Sequence, residues 1–494
     1  MALTKWQPPV IRHSVDDDGH VVWLELYFDL IYVAALIQLG DQLAGDVSWS
    51  GVFRFAAIFA VLWWTWTGTT AFMNRFAVDD VVHRLLVFAQ MFAVGNLALV
   101  AVSPIDDRPR WIALAYVGAR IPLLIMYARV RSHARTRGFA QFLLVVFSTG
   151  SVIWLLSLLV PTPARYWVWA LALVLEFAAP AFGIKRFVPP PAHEEHFRER
   201  YALFTIIVLG ETFVKTLSEV ADIGISLESQ VFGGVVFAIG IALWWTYFDD
   251  VADSSIRPSE RGNLLVPWIY SHLPLAMAIT ALGVASKKII GVSSFDAAIS
   301  DKYLWLLVGS VAVVLVATAA LDAVTASPHF AVGLRLRVLP RLVAAGILLL
   351  VPVVVGTEPA LLVVAIVAIV VVGQIAIQVT AATKVERRVI MAMDEQLAEI
   401  EGSCIHLETT PDIIPKSSVC EECERAGHAW VELRVCLTCG DVGCCDDSAG
   451  RHATAHYETT GHALIASIEP GAQWAYCYTD DLVKADWRSA TERQ

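Results

Sequence analysis

The chain has 494 residues, 57% of them hydrophobic and only 17% charged, with a mean hydropathy of +0.60 and a formal net charge of −11. A soluble protein of several ordinary domains does not carry so much apolar sequence, which leaves a polytopic membrane protein. The acidic balance argues against nucleic acid as a partner, because that partner calls for a basic surface.

Residues 1–22 read as a polar N-terminal segment. The polar stretch from Lys5 to His20 leads directly into a long apolar helix, so no secretory signal with a short apolar core and cleavage site is expected. About 20 mostly apolar residues are needed to cross a bilayer as a helix. Such runs begin near Trp23, Gly51, Leu85, Trp111, Phe139, Tyr166, Tyr201, Val231, Leu264, Tyr303, Leu339 and Ala360. They predict an α-helical transmembrane domain of about 12 helices over 23–383, with prolines at 122, 267 and 274 as points of kink or break. If both ends share a side, that side holds about 20 Lys and Arg and the other about 6, so the positive-inside rule makes both termini cytoplasmic and the protein a multi-pass protein of the plasma (inner) membrane.

An internal echo suggests two halves, about 23–188 and 198–383. Leu62-Trp63-Trp64-Thr65 recurs as Leu243-Trp244-Trp245-Thr246, with Asp29 and Glu211 upstream at nearly equal distance and Arg75 and Arg257 downstream. Halves of equal helix number in one orientation are related by an axis along the membrane normal, as in many transporters. The same matching predicts that Asp29 and Glu211 sit at one depth near the bilayer midplane.

Charges inside spans cost free energy and usually face a polar interior. Glu25 and Asp29 share one face of the first span, and Glu211 and Lys215 repeat the spacing in the seventh. Arg120 and Glu176 stand alone in their spans and are natural partners for charges on other helices; Asp29 and Glu211 are each expected either to pair with a cation such as Lys215 or Arg120 or to stay protonated. Together with Arg84 these residues form the candidate intramembrane polar site, either a pathway for a proton, ion or small solute or an ion-pair network that fixes packing. Asp249 and Asp250 close the eighth span and read as solvated helix-end residues.

At Trp23–Leu30 (Trp-Leu-Glu-Leu-Tyr-Phe-Asp-Leu), Trp63–Trp66, Asn74-Arg75, Arg84, Arg120 and Glu199–Glu211, the membrane part resembles the bacterial low temperature requirement A family, over about residues 15–385. The resemblance implies an integral membrane protein and supplies no mechanism; transport is inferred from the buried charges.

From 384 to 402, apolar positions at helical spacing alternate with charges and read as a linker helix leaving the membrane, basic first and acidic further out. All eight cysteines follow: Cys404, Cys420, Cys423, Cys436, Cys439, Cys444, Cys445 and Cys477. Two Cys-x-x-Cys pairs followed by His452, His456 and His462 are what tetrahedral zinc sites need, and a cytoplasmic location argues against disulfides. So short a segment cannot build a large core, so metal is expected to supply much of its folding free energy.

This tail resembles the zinc finger of ubiquitin-specific proteases and a cytoplasmic histone deacetylase. The resemblance implies a small α+β domain over 403–486, a tail over 487–494, and about three zinc ions. Carried over from it, the first ion takes Cys404, His406, Cys477 and Asp480, with Asp481 or water as the alternative to Asp480. The second takes Cys420, Cys423, Cys444 and His452, and the third Cys436, Cys439, His456 and His462. Cys445 and His428 are spare, although Cys445 could replace Cys444. Closed four-ligand sites are structural rather than catalytic, and no nucleophile with a base and oxyanion hole accompanies them, so no enzyme activity is expected. Ubiquitin-binding members have Gly-Arg after the third ligand of the second site, where this chain has Cys445-Asp446; an acid in place of a carboxylate-binding arginine speaks against ubiquitin. Trp430, Trp474 and Tyr476 either line a pocket for a protein or peptide C-terminus or pack around the metals. The sequence thus reads as a proton- or ion-coupled transporter or permease with a cytoplasmic zinc finger as regulatory or partner-binding module. The alternative is a non-transporting anchor that presents the finger.

Overall fold

The computed structural model describes residues 9–11, 22–78, 80–101, 108–131, 136–187, 189–249, 254–257, 264–291, 294–326, 334–356, 359–400, 404–408, 413–485 and 487. Most of the N-terminal segment, Asp250 and the tail after Trp487 lie outside the described residues. The chain divides into two compact units, Met1–Ala382 and Thr383–Gln494.

Long helices run through the described residues of the first unit, the last of them continuing past Ala382: α1 (Trp23–Gly45), α2 (Trp49–Arg75), α3 (Val81–Ala101), α4 (Pro109–Val130), α5 (Arg137–Leu156), α6 (Ala164–Arg186), α7 (Glu194–Ile223), α8 (Leu227–Tyr247), α9 (Leu265–Ile290), α10 (Asp301–Val324), α11 (Leu334–Val354) and α12 (Ala360–Ile400). Each begins close to an expected run. Eleven are long and apolar enough to cross a membrane. The one that differs is α7, whose 30 residues include His196, Arg200, Thr205, Thr212, Lys215 and Thr216, all buried where it packs against α1, α2, α8 and α9. Its polarity follows from that position, because protein rather than lipid surrounds its polar residues. Neither α4 at Pro122 nor α9 at Pro274 breaks, and Pro267 falls in the first turn of α9, where no intrahelical N–H is needed.

The neighbours repeat. In the first set α1 packs on α2 and α3, α3 on α4, and α4 on α5; in the second α7 packs on α8 and α9, α9 on α10, and α10 on α11. The sets meet where α1 and α2 touch α7 and α9. Short antiparallel ribbons join β1 (Val10–Ile11) to β2 (Phe76–Ala77), and β3 (Ser255–Ile256) to β4 (Thr325–Ala326). The echoed tryptophans occupy unlike surroundings: Trp63 and Trp64 are 1% and 3% exposed, Trp244 and Trp245 42% and 44%. In the first set α2 is central, and its Trp63 and Trp64 rings stack with Phe177 while Trp63 meets Tyr201 edge to face.

The second unit is built on one antiparallel sheet. The strands β5 (Leu433–Cys436), β6 (Val442–Cys444), β7 (Leu464–Ser467), β8 (Trp474–Cys477) and β9 (Leu482–Ala485) lie in the order β6-β5-β7-β8-β9. Around it are α13 (Ile405–Glu408), α14 (Glu421–Ala426) and α15 (His452–Thr460). The core is small, with Leu407, Leu433, Val435, Val442 and Ala475 packed among Cys404, Cys420, Cys423, Cys444 and Cys477. So few apolar side chains bury little surface, and the cysteine sulfurs occupy the centre.

Candidate functional site

The buried charges of the first unit meet in pairs. Asp29 and Glu25 on α1 face the first turns of α7, where Arg200 reaches both: Nη2 is 2.6 Å from Asp29 Oδ1 and Nη1 is 3.1 Å from Glu25 Oε2. Trp66 Nε1 donates to Asp29 Oδ1 at 2.7 Å, and His196 Nε2 lies 2.9 Å from Glu25 Oε2. Asp29, His196 and Arg200 have no exposed side-chain surface. The partner of Asp29 is therefore Arg200, not Lys215 or Arg120. The reason lies in register: α1 and α7 run side by side in the same direction, with Glu25 against His196, Asp29 against Arg200 and Asp41 against Lys215 at 3.0 Å.

That register also corrects the expected common depth of Asp29 and Glu211. Glu211 lies eleven residues beyond Arg200, about 16 Å further along the helix at 1.5 Å per residue. It is 3.9 Å from Lys215, whose closer partner is the half-exposed Asp41. Arg120 and Glu176 are each other's partners, at 2.5 Å. Glu176 Oε2 also accepts from Tyr116 at 2.8 Å and from Trp64 at 3.0 Å, and the Arg120 guanidinium lies over the Phe147 ring. Arg84 is half-buried in the first turn of α3, where its N–H donates to the Asp80 carbonyl. Asp249 accepts from Trp245 one turn earlier, as a helix-end residue does.

Sequence reasoning missed three members of this set. Arg200 and His196 were hidden in the polar start of α7, although Arg200 stands inside the quoted Glu199–Glu211 stretch. The third is Asp322 on α10, which is fully buried and paired with both Arg337 and Arg341 of α11. Its signal was a lone acid near the end of an apolar span, followed by two arginines four apart in the next. A groove of about 260 Å³ between α7 and α8 is lined by apolar side chains such as Phe213, Phe237 and Trp244, with Thr212 and Thr216 as its polar edge. A cavity of about 80 Å³ among α2, α4, α5, α6 and α9 reaches Arg75.

In the second unit, three groups of four donors assemble, each with its ligand atoms within 4.8 Å of one another. Cys420 caps α14, Cys423 lies in its first turn, Cys444 ends β6 and His452 opens α15; the three sulfurs are 3.2, 3.3 and 3.4 Å from His452 Nδ1. One turn further along α15, His456 Nε2 comes within 3.4 Å of Cys439 Sγ and 3.2 Å of His462 Nδ1, with Cys436 completing the group. The Cys436–Cys439 turn closes at Gly440, whose φ of +79° is a conformation that favours glycine. Cys404, His406, Cys477 and Asp480 form the last group. Asp480 Oδ2 is 2.8 Å from both Cys404 Sγ and His406 Nδ1, whereas Asp481 is engaged by the Tyr476 hydroxyl at 2.6 Å.

These donor sets suit zinc. Bonds of about 2.3 Å to sulfur and 2.0 Å to nitrogen put neighbouring ligands about 3.5 Å apart on a tetrahedron, close to the spacings observed. Hydrogen bonds from Cys404 and His406 hold Asp480 below the usual carboxylate range. Burial pushes the Cys404 thiol up to about 11 and the Cys423 thiol up to about 12. Cys445 stands outside the groups, 3.4 Å from the Ser448 hydroxyl, and so does the exposed His428. Of the aromatic residues, Trp430 packs against the small core, and Trp474 lies under the Arg434 guanidinium at 4.6 Å. Asp446 accepts from Thr454 at 2.7 Å and from Arg451 at 3.2 Å.

Residues 20–375 match the family model described as bacterial low temperature requirement A protein, and residues 420–486 match the one described as Zn-finger in ubiquitin-hydrolases and other protein. An uncharacterized protein of Rhizobium meliloti (strain 1021), RA0937, is 29% identical over 299 residues, 55% of this chain and 71% of that one. Over the finger, ubiquitin carboxyl-terminal hydrolase 14 of Schizosaccharomyces pombe is 35% identical over 79 residues, which are 14% of this chain and 10% of that one. The solution structure of protein RPA1320 from Rhodopseudomonas palustris is 42% identical, covering 17% of this chain and 83% of that one, with a TM-score of 0.17.

Proposed function

Because the chain belongs to the bacterial low temperature requirement A family and carries a zinc finger of the ubiquitin-hydrolase type, we propose that it is a proton- or ion-coupled transporter of the inner membrane, regulated through its finger. The supporting observation is the pairing of Glu25 and Asp29 with His196 and Arg200, buried where the two helix sets meet. Buried ion pairs add little net stability, so a cluster at the junction of two sets that could move against each other is best explained by use. In this reading Asp29 gives up Arg200 when a coupling cation or proton arrives, and the sets shift. The finger takes three zinc ions on its three four-donor groups as closed structural sites. Both termini are cytoplasmic, and the finger engages a protein or peptide partner, with Asp446 weighing against ubiquitin.

The experiment is solute uptake by proteoliposomes, screened across solutes and then repeated with Asp29→Asn. Uptake should be abolished in a variant that still inserts and folds; undiminished uptake would remove Asp29 from the mechanism. The closed pairing favours one rival: a non-transporting anchor for the finger. That reading expects no uptake of any solute, together with a fall in thermal stability in Asp29→Asn.

A further inference from the structure

The hydrogen bonds around His196 assign its tautomer. Nε2 faces Glu25 Oε2, which also accepts from Arg200 and is therefore a carboxylate oxygen, so Nε2 carries a hydrogen and donates. Nδ1 faces the side-chain amide nitrogen of Asn74, at the end of α2, at 3.2 Å. The orientation of that amide is fixed by backbone groups that cannot exchange roles: Asn74 Nδ2 donates to the His193 carbonyl at 2.8 Å, and Asn74 Oδ1 accepts from the His193 N–H at 3.1 Å. Nδ1 must therefore accept, and His196 is neutral while these bonds hold.

We propose that His196 Nδ1 is a proton-binding site and that its occupancy unlatches α2 from α7, a role that rests on the coupled-transport reading above. A proton on Nδ1 sets an N–H against the Asn74 NH₂ group, donor against donor. If the Asn74 amide turns over to accept that proton, its NH₂ meets the His193 N–H and the His193 carbonyl loses its donor. One proton therefore breaks either the His196–Asn74 bond or both Asn74–His193 bonds, and these join the two helix sets. His193 is also the N-cap of α7, its Nδ1 accepting from the His196 N–H at 3.2 Å, so the first turn of α7 loosens with the latch. Among the described residues, the charged and titratable groups around the site include Glu25 and Asp29 from α1, Arg75 from α2 over the Phe197 ring, and His193 and Arg200 from α7. The neighbouring α9 contributes His272, which lies against Tyr201 and is bonded to Tyr247.

The test is amide hydrogen exchange at residues 193–201 of the full-length protein in lipid nanodiscs, corrected for intrinsic rates, from about pH 8 to about pH 5, the range in which histidine titrates. Protection of the wild-type protein should fall about tenfold or more over that range as the latch opens. His196→Gln can accept from Asn74 and donate to Glu25 but binds no proton, so it should stay protected throughout. Asn74→Ala has no latch and should be poorly protected at every pH. A wild-type profile without a step overturns the proposal, as does an unchanged step in either variant. Loss of uptake activity under every condition, with the step intact, would instead remove the transport reading alone.

Discussion

Glu176 concentrates three donors on a single carboxylate oxygen, from Arg120, Tyr116 and Trp64. Removing one member of a buried pair strands the other charge, so Glu176→Ala should cost about 3–5 kcal/mol. Arg120→Met combined with Glu176→Met should cost clearly less than the two single changes added together, because neither charge is then left alone. Thermal unfolding in detergent measures both, and additive losses would mean that the pair is not coupled. Gly150 of α5 offers an independent check. A Cβ there would stand 2.1 Å from Glu176 Oε1, against the tip of a side chain held by its other oxygen. Gly150→Ala should therefore destabilise by about 1–3 kcal/mol through overpacking, and an unchanged melting temperature would show that Glu176 is free to move.

At the scale of single elements, α15 brings His452 and His456, one turn apart, into two of the donor groups, so loss of its order should disturb both. Metal analysis of the full-length protein should return about three zinc ions, and one equivalent in a folded finger would contradict the assignment. Cys445→Ser should leave the zinc content unchanged, whereas Cys420→Ser should lower it, since a closed site loses most of its affinity with one thiolate gone. Burial holds the Cys404 and Cys423 thiols up at about 11 and about 12, so both carry protons near neutral pH and must release them to bind zinc. Zinc affinity should therefore rise with pH, measured by chelator competition, with protons released on binding. For the metal-free fold the sign is opposite. A raised thiol pKa means that the unfolded chain ionises first, so the stability present below about pH 8.5 is lost as pH climbs toward 12.

For the whole molecule the decisive quantity is which side each loop faces. The excess of Lys and Arg in alternate loops predicts that both ends lie in the cytoplasm. Reporter fusions after residue 494 should be active only as cytoplasmic reporters, and fusions in the short α1–α2 connection only as external ones. A C-terminus found outside would require one of the helices not to span. The first to suspect is α7, which falls outside the set of apolar candidates.

Much was legible in the chain because apolar length and ligand spacing are local properties. The twelve helix starts, the Cys-x-x-Cys turns and the histidines one turn apart on α15 follow from residues near each other in sequence. The charged residues Asp29, Glu176 and Arg120 were also legible as members of a buried polar set, since a charge in an apolar span needs a partner wherever it is. Which partner was not legible. Asp29 meets Arg200 and not Lys215 because of the register between α1 and α7, and Asp480 rather than Asp481 gathers with Cys404, His406 and Cys477 because of the turn between β8 and β9. Those choices depend on the relative position of elements far apart in sequence, which is set by packing over the whole core and by no short pattern.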